Sequence, residues 1–284
     1  MQKIIDILPT LAAASSGGQV SHHPPISACH AEGRSWIWWQ DQRVKIKFWG
    51  RSMEVQPLGV SHVEIKGRNE EYVFNKVTTC VHNILSGPKW VDQYGEMIIK
   101  CRQSGYKCQL IFDKADTHGH DKNVGVKGQV MSSASRHPVY KLCGKWTEGL
   151  YLDDDSARRG QCLWKASAMP LNNGLYYGFT HWAIQLNELV PQMSTILPPT
   201  DSRFRPDQRA LEDGRVAEAD TLKETVEKLQ RDRRKSLEAR SQTHRPLWFY
   251  ECPNVKGENE WRYAGTYWEQ RDSGFIGLEF PQIW

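Results

Sequence analysis

The chain of 284 residues has no long uninterrupted apolar run. The stretch from Ile4 to Ala14 is its one candidate targeting segment. It is too short to span a bilayer, and Asp6 and Pro9 interrupt it. Membrane contact is therefore expected to be peripheral. The seven cysteines, at 29, 80, 101, 108, 143, 162 and 252, include no C-x-x-C pair. Zinc ribbons and fingers need closely spaced thiolates, so no structural metal is expected, and the set reads as reduced cytosolic thiols. No G-x-S-x-G, H-E-x-x-H, Walker-type loop or G-x-G-x-x-G occurs. No catalytic residue or cofactor is assigned on these grounds, and the expectation is a protein that is not an enzyme. Charge of one sign is also in short supply, at a net +4. This permits an anionic membrane surface, but a solvated surface with a small basic excess is the favoured reading. Arg233-Arg234-Lys235 reads as a solvated helix end. The aromatic residues are too scattered for a base-stacking platform, so nucleic acid is not an expected partner.

What is present argues for a packed core. Hydrophobic residues make up 39% and aromatic residues 11%, with 12 Trp and 10 Tyr. Disordered chains lack the apolar area to offset their ordering entropy. The length suits one domain or two. From Trp36 to about Asn187 the text is a series of strand-like runs. Val44-Lys45-Ile46-Lys47-Phe48-Trp49 alternates as a strand with one buried and one wet face would. Ser52 to Gln56, His62 to Lys66, Glu71 to Asn75, Glu96 to Cys101 and Lys107 to Phe112 continue the pattern. Val124 to Val130, Val139 to Trp146 and Tyr176 to Leu186 follow. Turns fall at Lys66-Gly67-Arg68-Asn69, Ser86-Gly87-Pro88 and Ser104-Gly105, which implies an antiparallel meander able to curl toward a barrel. Leu197-Pro198-Pro199-Thr200-Asp201 then breaks the pattern. From Asp213 to Arg240 a charged segment places Val216, Ala219, Leu222, Val226, Leu229 and Leu237 on one side of a helix. Pro246 to Trp284 returns to aromatic-rich text.

Two groups of residues carry candidate chemistry. In Ser21-His22-His23-Pro24-Pro25 the prolines hold two imidazoles on stiff, extended backbone. Imidazole offers donors that suit a phosphate to be bound and later released. On backbone physics alone a structural turn is the favoured reading. In the charged helix, Lys223, Glu227 and Arg231 stand at i, i+4 and i+8, a ladder that turns about 40° per step. Such a ladder is ordinarily a surface salt-bridge row of about 0.3–0.5 kcal/mol per pair. Read functionally, Lys223 supplies a point charge, Arg231 a planar fork, and Glu227 holds both. His118-Gly119-His120-Asp121 contains metal-ligand types but reads as a loop.

The string Gln19-Val20-Ser21-His22-His23-Pro24-Pro25-Ile26-Ser27-Ala28 resembles the signature of the oxysterol-binding-protein family. Cys29-His30-Ala31-Glu32, Lys47-Phe48-Trp49-Gly50, Val81 to Gly87 and Leu197 to Arg209 resemble its subgroup of related proteins three, six and seven. The resemblance implies a mainly β fold with C-terminal helix: an antiparallel β-barrel around a lipid tunnel, followed by a charged helix and an aromatic-rich end. It implies residues 19–284 as a partial lipid-binding domain, with strands at 19–195, a helical region at 196–245, a C-terminal segment at 246–284, and a non-matching segment at 1–18. It implies that His22, His23, Lys223, Glu227 and Arg231 together bind the head group of phosphatidylinositol 4-phosphate. The implied function is non-vesicular transport of that lipid and of a sterol or other lipid. The implied form is a cytosolic monomer that touches membranes peripherally, at endoplasmic reticulum–plasma membrane contacts. The family's lid, several strands and a K-P-x-N-P-like motif precede the signature, whereas 18 residues precede Gln19 here. The barrel is therefore expected to be incomplete, with open edges. The alternative expectation is a regulatory or interaction fragment that binds membranes or partners without transferring lipid.

Overall fold

The structure is a computed structural model describing residues 14–21, 24–115, 124–135, 137–153, 160–176, 178–186, 188–254 and 257–284, the side chains of 14–19 and 176 excepted. Two compact units are present. The first comprises residues 1–166 and 249–263, the second residues 167–248 and 264–284.

The first unit is built on a 13-stranded antiparallel sheet. Its strands are β1 (Ala14–Ser21), β2 (Ile26–Glu32), β3 (Trp36–Phe48), β4 (Ser52–Leu58), β5 (Ser61–Ile65), β6 (Glu70–Phe74) and β7 (Thr78–His82), then β8 (Trp90–Cys101), β9 (Tyr106–Phe112), β10 (Gly125–Ser132), β11 (Tyr140–Lys145), β12 (Gly149–Asp153) and β13 (Cys162–Lys165). Among the described residues β1 and β13 each pair on one side only, so the meander is open. A hairpin of β14 (Phe249–Pro253) and β15 (Asn259–Tyr263) belongs to the same unit.

The sheet divides in its middle. Trp36–Gln40 of β3 pairs with β5, while Arg43–Phe48 pairs with β4. The halves rejoin on β8, where Trp90–Tyr94 takes β7 and Ile99–Cys101 takes β6. Between those two ladders β8 would leave backbone groups unpaired, and Asn75 fills the gap. Its carboxamide donates to the Glu96 carbonyl and accepts from the Ile98 N–H, both at 2.8 Å. On β3 the Ser61 hydroxyl donates to the Gln40 side chain at 2.8 Å.

Period-2 alternation places the core on one face of the sheet. Trp36, Val63 and Ile65 are buried with Ala31, backed by Trp38, Tyr72 and Phe74. Register carries the same face through Phe74, Ile99 and Cys108 to Val130. There Cys108, Leu110, Val126, Val130, Leu142 and Leu163 form a second buried cluster. The opposite face is polar at Lys100, Lys107, Gln109 and Gln129, except where β15 covers β2 and β3. The Arg43 guanidinium donates to the Asn259 carbonyl at 2.5 Å, and the Trp261 N–H donates to Asp41 at 3.3 Å. His30 stacks on Tyr263, and Arg262 lies over the Trp39 ring.

The second unit is helical. It holds α1 (His181–Leu186), α2 (Pro206–Glu212), α3 (Val216–Ala239) and α4 (Tyr267–Asp272). Trp248, Tyr267, Phe275 and Phe280 meet in tilted and edge-to-face contacts.

Two local expectations are corrected. Tyr176 to Leu186, read as a strand, is the end of a 3-10 turn at Asn173–Tyr176 followed by α1. The Thr180 hydroxyl accepts from the Ala183 N–H at 3.2 Å, and Gly178, at φ 70°, turns the chain ahead of it. The apolar half of Val44–Trp49 is not buried: Ile46 is 59% and Phe48 61% exposed. The alternation was read correctly as a strand, yet no described element covers the apolar side near its tip.

Asn75→Ala removes two backbone partners from the branch point, so it should cost about 1–3 kcal/mol. Urea unfolding followed by circular dichroism measures this; an unchanged midpoint and slope would mean that water replaces the carboxamide.

Candidate functional site

The ladder residues lie on α3, a helix of 24 residues. Ala219 and Val226 are buried, which fixes the helix's rotation and leaves Lys223 and Arg231 exposed. Arg231 reaches Glu227 at 3.6 Å, with their side chains 54% and 46% exposed. Such a pair is worth only a few tenths of a kcal/mol, so it orients more than it stabilises. Lys223 has no ion-pair partner among the described residues. An exposed ammonium without a fixed partner keeps all three N–H donors for a ligand.

A third cation, not singled out by spacing, stands beside them. Arg205 immediately precedes α2. Its guanidinium donates twice to Asp207, Nε at 2.7 Å and Nη2 at 2.9 Å. Its pKa is raised first by that pairing and further by the negative charge of Glu227. The charge of Glu227, on α3, thus acts on Arg231 along the helix and on Arg205 ahead of α2. Asp207 is buried in the first turn of α2, where the helix dipole favours a carboxylate and Pro206 suits the first helical position. The preceding turn repeats the device. Arg203 donates to both Asp201 oxygens at 2.8 Å, and Asp201 accepts from the Arg203 N–H at 3.0 Å. Each fork locks a guanidinium to a carboxylate two residues away. The string from Asp201 to Asp207 is legible in sequence; the approach of its second arginine to Glu227 is not.

His22 and His23 lie outside the described residues, as does His118-Gly119-His120-Asp121. The flanks of the histidine pair are described: Ser21 pairs with Ile26 after a register shift, and Pro24-Pro25 forms the turn between β1 and β2.

Beside the fork in the sheet, Gln40, Asp41, Gln42, Gly59, Ser61 and Lys76 contribute to a half-open cavity of about 210 Å³. Most of that space is open solvent, so the cleft is far too small to enclose a membrane lipid. Burial lowers the Lys76 pKa and pushes the Cys29 thiol up to about 11. Cys108 is likewise raised to about 11 by burial, so neither thiol is a ready nucleophile at neutral pH. Among the described residues no group of three His, Cys, Asp or Glu could hold a metal, and no helix is long and apolar enough to cross a membrane.

A family model described as oxysterol-binding protein matches residues 13–272. The chain belongs to the oxysterol-binding protein family. Within that family it is 46% identical to human oxysterol-binding protein-related protein 6 over 268 residues, covering 94% of this chain and 28% of the relative. It is 44% identical to mouse related protein 3 over 271 residues, covering 94% and 30%. Human related protein 7 is 41% identical over 268 residues, covering 94% and 31%. These similarities agree with the subgroup assignment. The chain spans about 28–31% of the length of these relatives. Among solved structures it is similar to the Osh3 ORD of Saccharomyces cerevisiae in complex with PI(4)P, at TM-score 0.81 and 31% identity, covering 95% of this chain and 70% of that one. The Osh1 ORD domain in complex with cholesterol matches at TM-score 0.83 and 30% identity, covering 97% and 69%. The mainly antiparallel sheet followed by helices is the architecture shared with these family members.

The Arg205–Asp207 fork holds the Asp207 carboxyl below its ordinary range. Its contribution to stability is therefore complete above the unfolded aspartate pKa and is lost as pH falls through the lower native value. Asp207→Asn should cost about 2 kcal/mol at neutral pH, near the middle of the range for charged hydrogen bonds. The deficit should shrink below about pH 4, as read by urea unfolding across pH.

Proposed function

We propose that the chain binds phosphatidylinositol 4-phosphate and carries it, with a sterol or another lipid as second cargo, between membranes. The observation that supports this most directly is the ladder of exposed Lys223 and Arg231 about Glu227, whose charge also acts on the half-buried Arg205. A multiply charged phosphate is bound by an ammonium and by planar guanidinium forks, and a single carboxylate keeps those cations from dispersing. His22 and His23 supply the remaining donors on this reading. Imidazole is suited to the task because it binds phosphate through N–H groups without the permanent charge that would slow release. The acyl chains leave the bilayer only if the protein covers them, at about 0.8 kcal/mol per methylene. The apolar face of the sheet is the surface available for that. Binding and release need no bond-making step, so the chain acts as a carrier rather than an enzyme. It works from the cytosol as a monomer that meets membranes at their surface, including contacts of the endoplasmic reticulum with the plasma membrane.

The second reading, an interaction fragment that docks without carrying lipid, is favoured by the exposed apolar side chains Ile46 and Phe48 on that same face.

A vesicle-to-vesicle transfer assay separates the two. The chain should extract phosphatidylinositol 4-phosphate, and His22→Ala/His23→Ala should lower extraction by at least about tenfold, as should Lys223→Ala/Arg231→Ala. Equal extraction by an active wild type and the histidine variant removes the pair from the site. Failure of the folded wild type to extract any lipid selects the fragment reading.

A further inference from the structure

The tip of the β3–β4 hairpin and the loop joining β7 to β8 are built as one surface. The Ile84 N–H donates to the Arg51 carbonyl at 3.1 Å, which joins the loops. The hairpin tip is closed by the Trp49 N–H to the Ser52 carbonyl at 2.8 Å, and by the Arg51 N–H to the Trp49 carbonyl at 2.9 Å. The partner loop is closed by the Asn83 side chain, which donates to the Pro88 carbonyl at 2.9 Å. Asn83 and Gly87 hold positive φ values of 59° and 87°. Both loops are therefore closed by their own hydrogen bonds.

What they present is apolar. Leu85 is 73%, Trp49 62%, Phe48 61% and Ile46 59% exposed. The Trp49 side chain is hydrogen-bonded to the Glu54 carboxylate, which also accepts from the Tyr94 hydroxyl. The indole is thus held by its polar edge while most of the side chain remains open to solvent. Cations fringe the patch: Arg51 and Lys89 are exposed, and Lys47 is half-buried beside Phe48. Glu54 stands opposite Lys47 in the β3–β4 register and offsets its charge, Asp92 is buried, and Arg51 and Lys89 have no ion-pair partner among the described residues.

Exposed Trp, Phe and Leu surrounded by Lys and Arg are the composition of an interfacial membrane anchor. A protein partner would meet the same apolar patch with a mixed polar rim. Arg51 and Lys89, uncompensated, instead favour a surface carrying many negative charges. We infer that this two-loop tip is a docking surface for an anionic lipid bilayer, with Trp49, Phe48 and Leu85 entering the head-group region and Arg51 and Lys89 meeting acidic lipids. The inference does not depend on the head-group role assigned to Lys223, Glu227 and Arg231.

The test is co-sedimentation of the chain with phosphatidylcholine vesicles, with and without phosphatidylserine and always free of phosphoinositide. Binding should require phosphatidylserine and weaken as salt rises from about 0.1 M to 1 M. Trp49→Ser/Leu85→Ser should weaken it by about tenfold or more. Arg51→Gln/Lys89→Gln should weaken it by about fivefold per charge. Leu171→Ser/Leu175→Ser, at side chains 91% and 80% exposed in the other unit, should leave binding unchanged. Leaving phosphoinositide out of every vesicle separates this inference from the head-group reading. Circular dichroism verifies that each variant is folded. The inference is overturned if the wild type ignores phosphatidylserine, or if the tip variants bind like wild type. It is also overturned if the Leu171/Leu175 control loses as much binding. If sedimentation equilibrium shows a wild-type dimer that the tip variants abolish without changing vesicle binding, the patch serves a second copy of the chain, and the inference again falls.

Discussion

Backbone hydrogen bonding at the branch of the sheet is the constraint on which the first unit depends. β3 and β8 are long strands that each serve two partners along one edge, and a change of partner leaves N–H and C=O groups between ladders. An unpaired buried amide costs as much as a lost hydrogen bond, so the branch survives only where a side chain substitutes for the missing strand. Asn75 does this on β8, because a carboxamide carries one donor and one acceptor side by side, as a peptide does. The branch lets the hairpin of β5 and β6 fold onto the Trp36 end of β3. The opposite end of β3 then carries its hairpin with β4 out to an exposed tip.

The charged group of the second unit is organised by a related economy. Arginines 203 and 205 are each fixed by an aspartate two residues away, so their guanidinium planes are set before any ligand arrives. Guanidinium planes fixed in this way have little conformational entropy left to lose on binding. Lys223 and Arg231 are looser: both are exposed, and of the two Arg231 alone has an ion-pair partner among the described residues, Glu227 at 3.6 Å.

Much of the strand pattern was legible from period-2 alternation, as in Glu96–Cys101 and Lys107–Phe112, which fall within β8 and β9. The long charged helix was legible from its apolar stripe, although only Ala219 and Val226 of that stripe are buried. Short strands such as β7, Thr78–His82, carry too few alternations to stand out. Tyr176–Leu186 misled because its aromatic and β-favouring residues outweigh, in a propensity reading, the Thr180 cap and Gly178 turn that make it helical. Arg205 escaped notice as a site residue because its relation to Glu227 spans two helices and follows no spacing rule.

The sequence by itself determined the family, through the string Gln19 to Ala28 and the text from Leu197 to Arg209. It also determined the alternating and helical periods, because those are local properties of neighbouring side chains. Only the tertiary structure decided where the sheet divides, that the hairpin Phe249–Tyr263 joins the first unit, and that Arg205 stands by Glu227. It alone decided that the apolar half of Val44–Trp49 faces solvent. The reason is physical: alternation specifies which side chains share a face, while what covers that face depends on residues distant in the chain.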